Sequence, residues 1–410
     1  MQGTIYQQVD VTFDYQVCFT RGLFKTDNPL FRDAIVDEDQ HAPKKLLIFI
    51  DSGVADCHPN LADEISAYCS IYAHGIDLVH TPYVIQGGEE VKEEEKYLNR
   101  IYQYVDTYGI DRHSYIAVVG GGAIIDAVGY AASVAHRGIR LIRIPTTVLS
   151  QNDSAVGVKN GVNKFGKKNF LGVFDPPYAV LSDYDFLETL PDRDWRSGTS
   201  EAVKVALLKD SAFFEYLEEH AVQINNRQQK PMEWLIYRCA ELHLNHIANS
   251  GDPFETGSSR PLDFGHWVAH RLESATNYRV RHGEAVAIGI ALDSTYSYLK
   301  GMLTEQEWKR IIKLFLNFGF DLYVDELSSH IDDKTHPESI LNGLEEFRQH
   351  LGGKLTIMLL EEIGHGVETN EMDDDLIRRS VEILKRIDSD HTFITANGNP
   401  QAIKEAYGTK

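Results

Sequence analysis

The sequence predicts an α/β fold in which an amino-terminal domain with a parallel sheet, residues 1–190, is followed by an all-helical carboxy-terminal domain, residues 191–410. Three observations lead there. The stretch Val118–Gly172 opens with a short apolar run, crosses three glycines (Gly120, Gly121, Gly122), continues as an alanine-rich helical pattern and ends in a second apolar run at Pro145-Thr146-Thr147. That succession of strand, turn, helix and strand is Rossmann-like. Other short apolar runs flank it, and beyond Leu187 long helical periodicities replace them. A chain of 410 residues is long enough for two such domains.

In chain order, Thr4 to Phe19 alternates like an edge or capping strand through Val9, Val11, Phe13, Tyr15 and Val17. Lys45 to Asp51 is a buried strand closed by Ser52-Gly53, and Tyr83 to Gly87 is a third strand. A charged helix is expected from Gly88 to about Tyr108. Tyr178 to Asp183 is a further strand, and the domain boundary is set near Pro191. The second half predicts helices at Glu201–Lys209, Trp234–Asn249, His266–Ser274, Glu284–Leu299, Glu305–Phe318 and Met372–Arg386, then a polar tail. A cleft between an α/β half and a helical half is a natural place for a cofactor to meet a small substrate.

The formal net charge of −21 disfavours non-specific binding to nucleic acid or to an anionic membrane. An anionic ligand would therefore need basic groups gathered locally, as they are between Lys159 and Lys168. Cys18, Cys57, Cys69 and Cys239 show no CxxC spacing, which argues for a reducing compartment. No signal-peptide pattern opens the chain, and no apolar run approaches the ~20 residues of a membrane span. A cytoplasmic protein is expected.

A glycine turn between strand and helix lets a phosphate reach backbone N–H groups at the positive end of the helix. GGG is not the GxGxxG fingerprint, so an ordinary tight turn fits equally. Asp153, Lys159, Asn163, Lys167, Lys168 and Asn169 follow closely and suit either a solvated surface or a phosphorylated ligand. Asp51, at the end of an early strand, suits ribose hydroxyls or a turn cap. His266 and His270 are four apart and share a helical face, as zinc ligands or as surface groups, without the glutamate of HExxH.

Taken together, Gly120-Gly121-Gly122 with Asp126, Arg137-Gly138, the run from Pro145-Thr146-Thr147 to Asn163, and Gly166-Lys167-Lys168-Asn169 resemble the dehydroquinate synthase family, the sugar phosphate cyclases. The resemblance spans roughly residues 45 to 390. It implies zinc, or cobalt in its place, on Glu201, His266 and His282, with His270 left for the substrate phosphate. It implies NAD on Asp51, Glu89, Lys92, Gly121, Gly122, Asp126, Thr146, Thr147, Asp153, Lys168 and Thr189, with Gly87 where the family has proline. It assigns phosphate binding and proton transfer to Arg137, Asp153, Lys159, Asn169, Lys204 and His270. The implied reaction oxidises a hydroxyl, eliminates phosphate, returns the hydride and closes a carbocycle, without net redox change. A homodimer is also implied.

The chain departs from that family where the substrate carboxylate would bind. The family's lysine is His243, its asparagine is Asp263, and Arg260 sits one residue closer to the histidine motif. Asp263 would repel a substrate carboxylate by several kcal/mol at an effective dielectric of about 20. Asp263 and His243 suit hydroxyls instead, and Asp263 is also a candidate acceptor for the His266 imidazole. Pro261–His266, and Leu344–Gly353 followed by an apolar strand pattern, resemble the sedoheptulose 7-phosphate cyclases, the 2-epi-5-epi-valiolone synthase branch, and within it the bacterial ebo-cluster members. The expectation is a carboxylate-free sugar phosphate converted to a C7 cyclitol. Two alternatives are 3-dehydroquinate synthase itself and a metal-dependent alcohol or glycerol dehydrogenase, which shares the GGG and PTT layout.

Overall fold

The computed structural model describes residues 3–36, 42–254, 261–350 and 352–389. Arg260 and the polar tail lie outside the described residues. The chain forms two compact units, one running through Thr146 and resuming over Ala155–Thr189, the other made of Thr147–Ser154 and everything from Leu190 onward.

The first unit contains strands β1 (Gln16–Thr20), β2 (Lys44–Asp51), β3 (Ile76–Leu78), β4 (Tyr83–Ile85), β5 (Tyr115–Gly120), β6 (Arg140–Pro145), β7 (Lys159–Lys164), β8 (Lys167–Phe174) and β9 (Ala179–Asp183). Its helices are α1 (Leu30–Asp33), α2 (Ser52–Cys57), α3 (Leu61–Ile71), α4 (Glu90–Glu93), α5 (Glu95–Thr107) and α6 (Gly122–Val134). The sheet order is β1-β9-β6-β5-β2-β3, with β4 also beside β2, and every pair is parallel. Crossovers cover both faces of such a sheet, so its central strands are apolar at successive positions. Leu46, Ile48 and Ile50 enter one core with Ala117 and Val119, while Leu47 and Phe49 enter the other with Ile116 and Val118. Strands β7 and β8 form a separate antiparallel hairpin.

Two elements differ from their sequence patterns. Of the alternating stretch Thr4–Phe19, only the part from Gln16 joins the sheet, and Val9 and Val11 stay exposed. Alternation defines a face but does not supply a neighbouring strand. The charged helix after Gly88 is interrupted at Glu94, whose backbone is extended (φ −99°, ψ 114°). Glu89, Glu90, Glu93 and Glu94 would repel at i, i+4 spacing in one continuous helix.

The second unit is mainly helical: α7 (Asp192–Ser197), α8 (Thr199–Lys209), α9 (Ser211–Asn225), α10 (Gln229–Asn249), α11 (His266–Ala275), α12 (His282–Leu299), α13 (Glu305–Asn317), α14 (Asn342–His350) and α15 (Asp374–Ser389). It also carries the antiparallel hairpin β10 (Ile357–Glu362) and β11 (His365–Thr369), so it is not entirely helical. Leu359 and Leu360 are fully buried there, and Gly364 turns the chain at φ 95°. Helix α9 was not anticipated; it is separated from α8 by the extended Asp210, whose side chain caps it through Phe213 N at 3.0 Å. Helix α12 is buried on nearly every side and forms the middle of this unit. Among the described residues no helix is long and apolar enough to cross a membrane.

Arg143 on β6 anchors the return of the chain to the first unit. It is fully buried, and its guanidinium donates to the carbonyls of Ala155 (2.8 Å), Gly157 (2.6 Å) and Lys159 (3.2 Å) and to Asn160 Oδ1 (2.8 Å). Burial lowers its pKa to about 10, so it stays charged at neutral pH. Replacing Arg143 by Leu strands those acceptors in an apolar setting. The expected loss is about 3 kcal/mol or more, read as a lower urea midpoint.

Candidate active site

In the second unit three helices deliver three metal-ligand side chains. Glu201 stands in the first turn of α8, and His266 and His282 are the first residues of α11 and α12. Nε2 of His266 lies 3.7 Å and Nε2 of His282 3.5 Å from Oε1 of Glu201, and one ligand atom from each residue falls within 4.8 Å of the others. Glu201 is fully buried. The Lys204 ammonium, one turn on, abuts its Oε2, yet neither carboxylate oxygen has a well-directed hydrogen bond.

The remaining imidazole nitrogens are occupied in the manner of metal ligands. Nδ1 of His282 faces the buried Glu273 carboxylate at 3.1 Å, and Nδ1 of His266 faces the Phe264 carbonyl at 3.1 Å. Protons on both Nδ1 atoms leave both Nε2 lone pairs for a cation. The backbone of Phe264 thus serves His266 where the sequence offered Asp263. Burial opposes the Glu201 charge, but Lys204, His282 and His266 outweigh it and hold its pKa well below the usual range. Burial and Lys204 lower the His266 pKa, which keeps that ring neutral. An anionic carboxylate whose Oε1 faces the two imidazoles, together with two neutral imidazoles, fits divalent zinc or cobalt. His270 is exposed one turn beyond His266, outside this trio, although it forms a second trio with Glu273 and His282.

Asp153 and Lys204 sit beside Glu201. Asp153 lies on a single wide helical turn, Ser150–Ser154, and its Oδ1 is 3.0 Å from Nδ1 of His243 on α10. Burial and Glu201 push the Asp153 pKa up, but Lys204 and His243 leave it below its ordinary value. Burial disfavours the charge on Lys204, while Glu201, Asp153 and Asp263 more than restore it. Glu284 of the His-Gly-Glu motif caps α12 through Arg281 N (2.9 Å) and pairs with Arg193, fixing the helix end that carries His282.

In the first unit, Asp51 ends β2 and accepts from Gly53 N at 2.8 Å; burial raises its pKa. A Cβ at Gly87 would lie 2.2 Å from both Asp51 oxygens, which accounts for glycine where the resembled family has proline. None of Gly120, Gly121 and Gly122 has a positive φ, so handedness does not require glycine there. At Gly120 packing does, because a Cβ there would lie 2.4 Å from Ile124 Cγ2 and 2.9 Å from Asp51 Cβ. Lys92 is buried, bonded to Asp126 at 2.8 Å and to the Asn169 amide oxygen. Asn163 donates to Glu89 at 2.9 Å and accepts from Asn169 N at 2.9 Å. Glu89, Lys92, Asp126 and Asn169 therefore form one network. Thr146 N donates to the Gly120 carbonyl at 3.0 Å, and Thr189 meets His58, which sequence reasoning did not single out, at 3.0 Å. Thr147 starts the short segment that belongs to the second unit, and Lys168 and the exposed Lys159 lie on the β7–β8 hairpin.

Arg137 is not brought to this network. Helix α6 runs ~20 Å from the carboxyl end of β5 back toward the amino end of β6. Arg137 follows it and lines a separate surface cavity of about 650 Å³ with Arg112, His113 and His136.

Sequence reasoning also missed Glu273 and Asp293. Glu273 follows His266 by seven positions on the same helical face, and Asp293 interrupts the apolar run of α12; both signals were visible. Asp293 is fully buried, accepts from Gly265 N (3.1 Å) and Trp267 Nε1 (3.0 Å), and burial pushes its pKa up to about 7 despite those donors. The folded chain therefore binds an extra proton between about pH 4 and pH 7, where an unfolded aspartate has released it. The associated stability is fully present below about pH 4 and falls by ~4 kcal/mol as pH rises through 7. Urea unfolding of metal-free protein should show the stability difference between wild type and Asp293→Asn shifting against wild type from pH 5 to pH 8.

Comparison with known proteins accords with this geometry. Family models described as 3-dehydroquinate synthase N-terminal and C-terminal match residues 82–197 and 198–341. A 2-epi-5-epi-valiolone synthase of Streptomyces glaucescens is 31% identical over 376 residues, 91% of this chain and 92% of that protein. A 3-dehydroquinate synthase of Cereibacter sphaeroides is 32% identical over 340 residues, 82% and 88% of the two chains. The solved 2-epi-5-epi-valiolone synthase of Streptomyces hygroscopicus subsp. jinggangensis, with NAD+ and Zn2+ bound, superposes with a TM-score of 0.80 at 27% identity, covering 93% of this chain and 99% of that one. With its family models spanning well over half its length and its metal-ligand trio assembled in one unit, the chain belongs to the 3-dehydroquinate synthase family of sugar phosphate cyclases, which are lyases.

Proposed function

We propose that this enzyme is an NAD- and zinc-dependent cyclase acting on a sugar phosphate without a carboxylate, best matched by sedoheptulose 7-phosphate, and that it releases phosphate to give a C7 cyclitol. The observation that carries the substrate reading is the His243–Asp153 pair at 3.0 Å. Where the family offers a lysine to a substrate carboxylate, this chain has an imidazole whose Nδ1 lies beside an aspartate oxygen. The acidic Asp263 adds its field to Lys204 and His266, a poor setting for a second carboxylate.

Glu201, His266 and His282 would hold the metal. Asp51, Glu89, Lys92, Asp126 and the Gly121–Gly122 turn would hold NAD. When bound, NAD supplies hydride transfer and the metal supplies Lewis acidity at a substrate oxygen. Lys204, kept charged by Glu201 and Asp153, would stabilise negative charge as it develops on that oxygen. Asp153 would hold or accept a proton. His270, exposed and one turn from His266, would face the leaving phosphate. Arg137 is left out of this assignment because of its place in the fold. A homodimer in the cytoplasm completes the proposal, supported by the family and by four cysteines that are all free thiols.

The name 3-dehydroquinate synthase on several relatives favours the carboxylated heptulosonate as a second substrate to try. The test measures phosphate release and NADH absorbance with zinc, catalytic NAD and a panel of sugar phosphates. Release from sedoheptulose 7-phosphate without NADH accumulation is expected. Release from the carboxylated sugar alone would overturn the substrate, and NADH build-up without phosphate would overturn the cyclase. Asp263→Asn alone should not confer turnover of the carboxylated sugar, because His243 still stands in place of the lysine; robust activity in that variant would contradict this account.

A further inference from the structure

The two histidines of the metal trio stand at the starts of α11 and α12, and a buried carboxylate ties those helices together beside them. Asp293 on α12 is fully buried, and its two oxygens take different donors: Oδ2 accepts from Gly265 N at 3.1 Å, and Oδ1 from the Trp267 indole at 3.0 Å. Those donors are the residues on either side of His266. The turn rests directly on the α12 backbone. Gly265 has φ 76°, a Cβ there would lie 2.6 Å from Ile290 N, and a Cβ at Gly289 would lie 2.0 Å from the Gly265 carbonyl.

We propose that Asp293 is a positioning residue for the metal centre, holding the backbone and the neighbour of His266 on α12 so that His266 and His282 keep the spacing a single ion requires. The proposal rests on the metal reading above and adds to it a residue that touches neither ligand. The ionised carboxyl gives each buried donor an oxygen of its own, so zinc affinity is compared at pH 8, where Asp293 carries its charge. Asparagine offers one acceptor and turns its amide N–H groups toward the other donor. Ligand-orienting groups of this kind are commonly worth about 10- to 100-fold in metal affinity.

The experiment measures zinc dissociation constants by chelator competition and records cobalt visible spectra for wild type, His266→Ala, Asp293→Asn, Trp267→Phe and the double variant Asp293→Asn with Trp267→Phe. Asp293→Asn should bind zinc roughly 10- to 100-fold more weakly, with an altered cobalt band and an unchanged far-ultraviolet circular dichroism spectrum. Trp267→Phe, which keeps the Gly265 bond, should lose less. The two losses should fall short of additivity in the double variant, because both substitutions remove the same hydrogen bond. Wild-type zinc affinity and an unchanged cobalt band in Asp293→Asn would overturn the positioning role while leaving the metal centre intact, as would strictly additive losses. If Asp293→Asn does not fold, wild-type affinity in Trp267→Phe overturns it. Failure of wild type itself to bind zinc more tightly than His266→Ala would overturn the metal reading.

Discussion

A carboxylate with no access to water persists as an anion only if positive charge is built around it, and Glu201 imposes that requirement on the second unit. Lys204, one turn away on the same helix, supplies a full charge, and the imidazoles of His266 and His282 approach from two other helices. Lys204 is buried as well and would be untenable without Glu201, Asp153 and Asp263. Removing one partner from such a set commonly costs 3–5 kcal/mol, because the charge left behind has nowhere to go. A divalent cation on Glu201, His266 and His282 would relieve the remaining imbalance. A metal bound there would meet a field already built by the fold.

The packing around that trio follows from the same need. His266 and His282 are each the first residue of a helix, where neighbouring turns govern the side-chain direction more than helical periodicity does. Phe264, Glu273, Glu284 and Asp293 each fix one such turn or ring. Three of these are acids in an already acidic chain, and each is held by donors of its own. Acidity in this protein is thus partly structural.

The first unit would meet a different demand as the proposed cofactor site, that of bringing a bulky anion close to backbone. Gly120 to Gly122 keep ordinary backbone angles, so their value lies in the missing side chains. Asp51 fills the space that Gly87 vacates. Lys92 is tied into Asp126 and Asn169, which gives a rigid polar wall in place of a loose cluster of surface cations. Family membership embraces relatives named for two different products, so the substrate reading depends on local chemistry. The proposed substrate rests there on His243, which lies beside Asp153, and on Asp263, whose charge acts on Lys204 and His266.

By itself the sequence determined the parallel sheet, because strands buried on both faces must be apolar at successive positions; residue types alone left His266 and His270 both open as ligands, and the trio of Glu201, His266 and His282 is what the family resemblance implies and what the folded chain brings within ligand distance. The glycine turn and the polar cluster from Asp153 to Asn169 were legible as residue identity at short spacing, the departures at His243 and Asp263 were legible against the resembled family, and the folding of that cluster into the β7–β8 hairpin was not. Tertiary structure alone decided that Phe264 serves His266, that His243 lies beside Asp153, that Arg137 stands apart from the Lys92 network, and that Glu94 breaks a helix. It also brought Glu273 to His282 and Asp293 to the flanks of His266. Each of these depends on which distant group a side chain meets when helices and strands pack. Spacing along the chain constrains which face a residue occupies, and only packing chooses its neighbour.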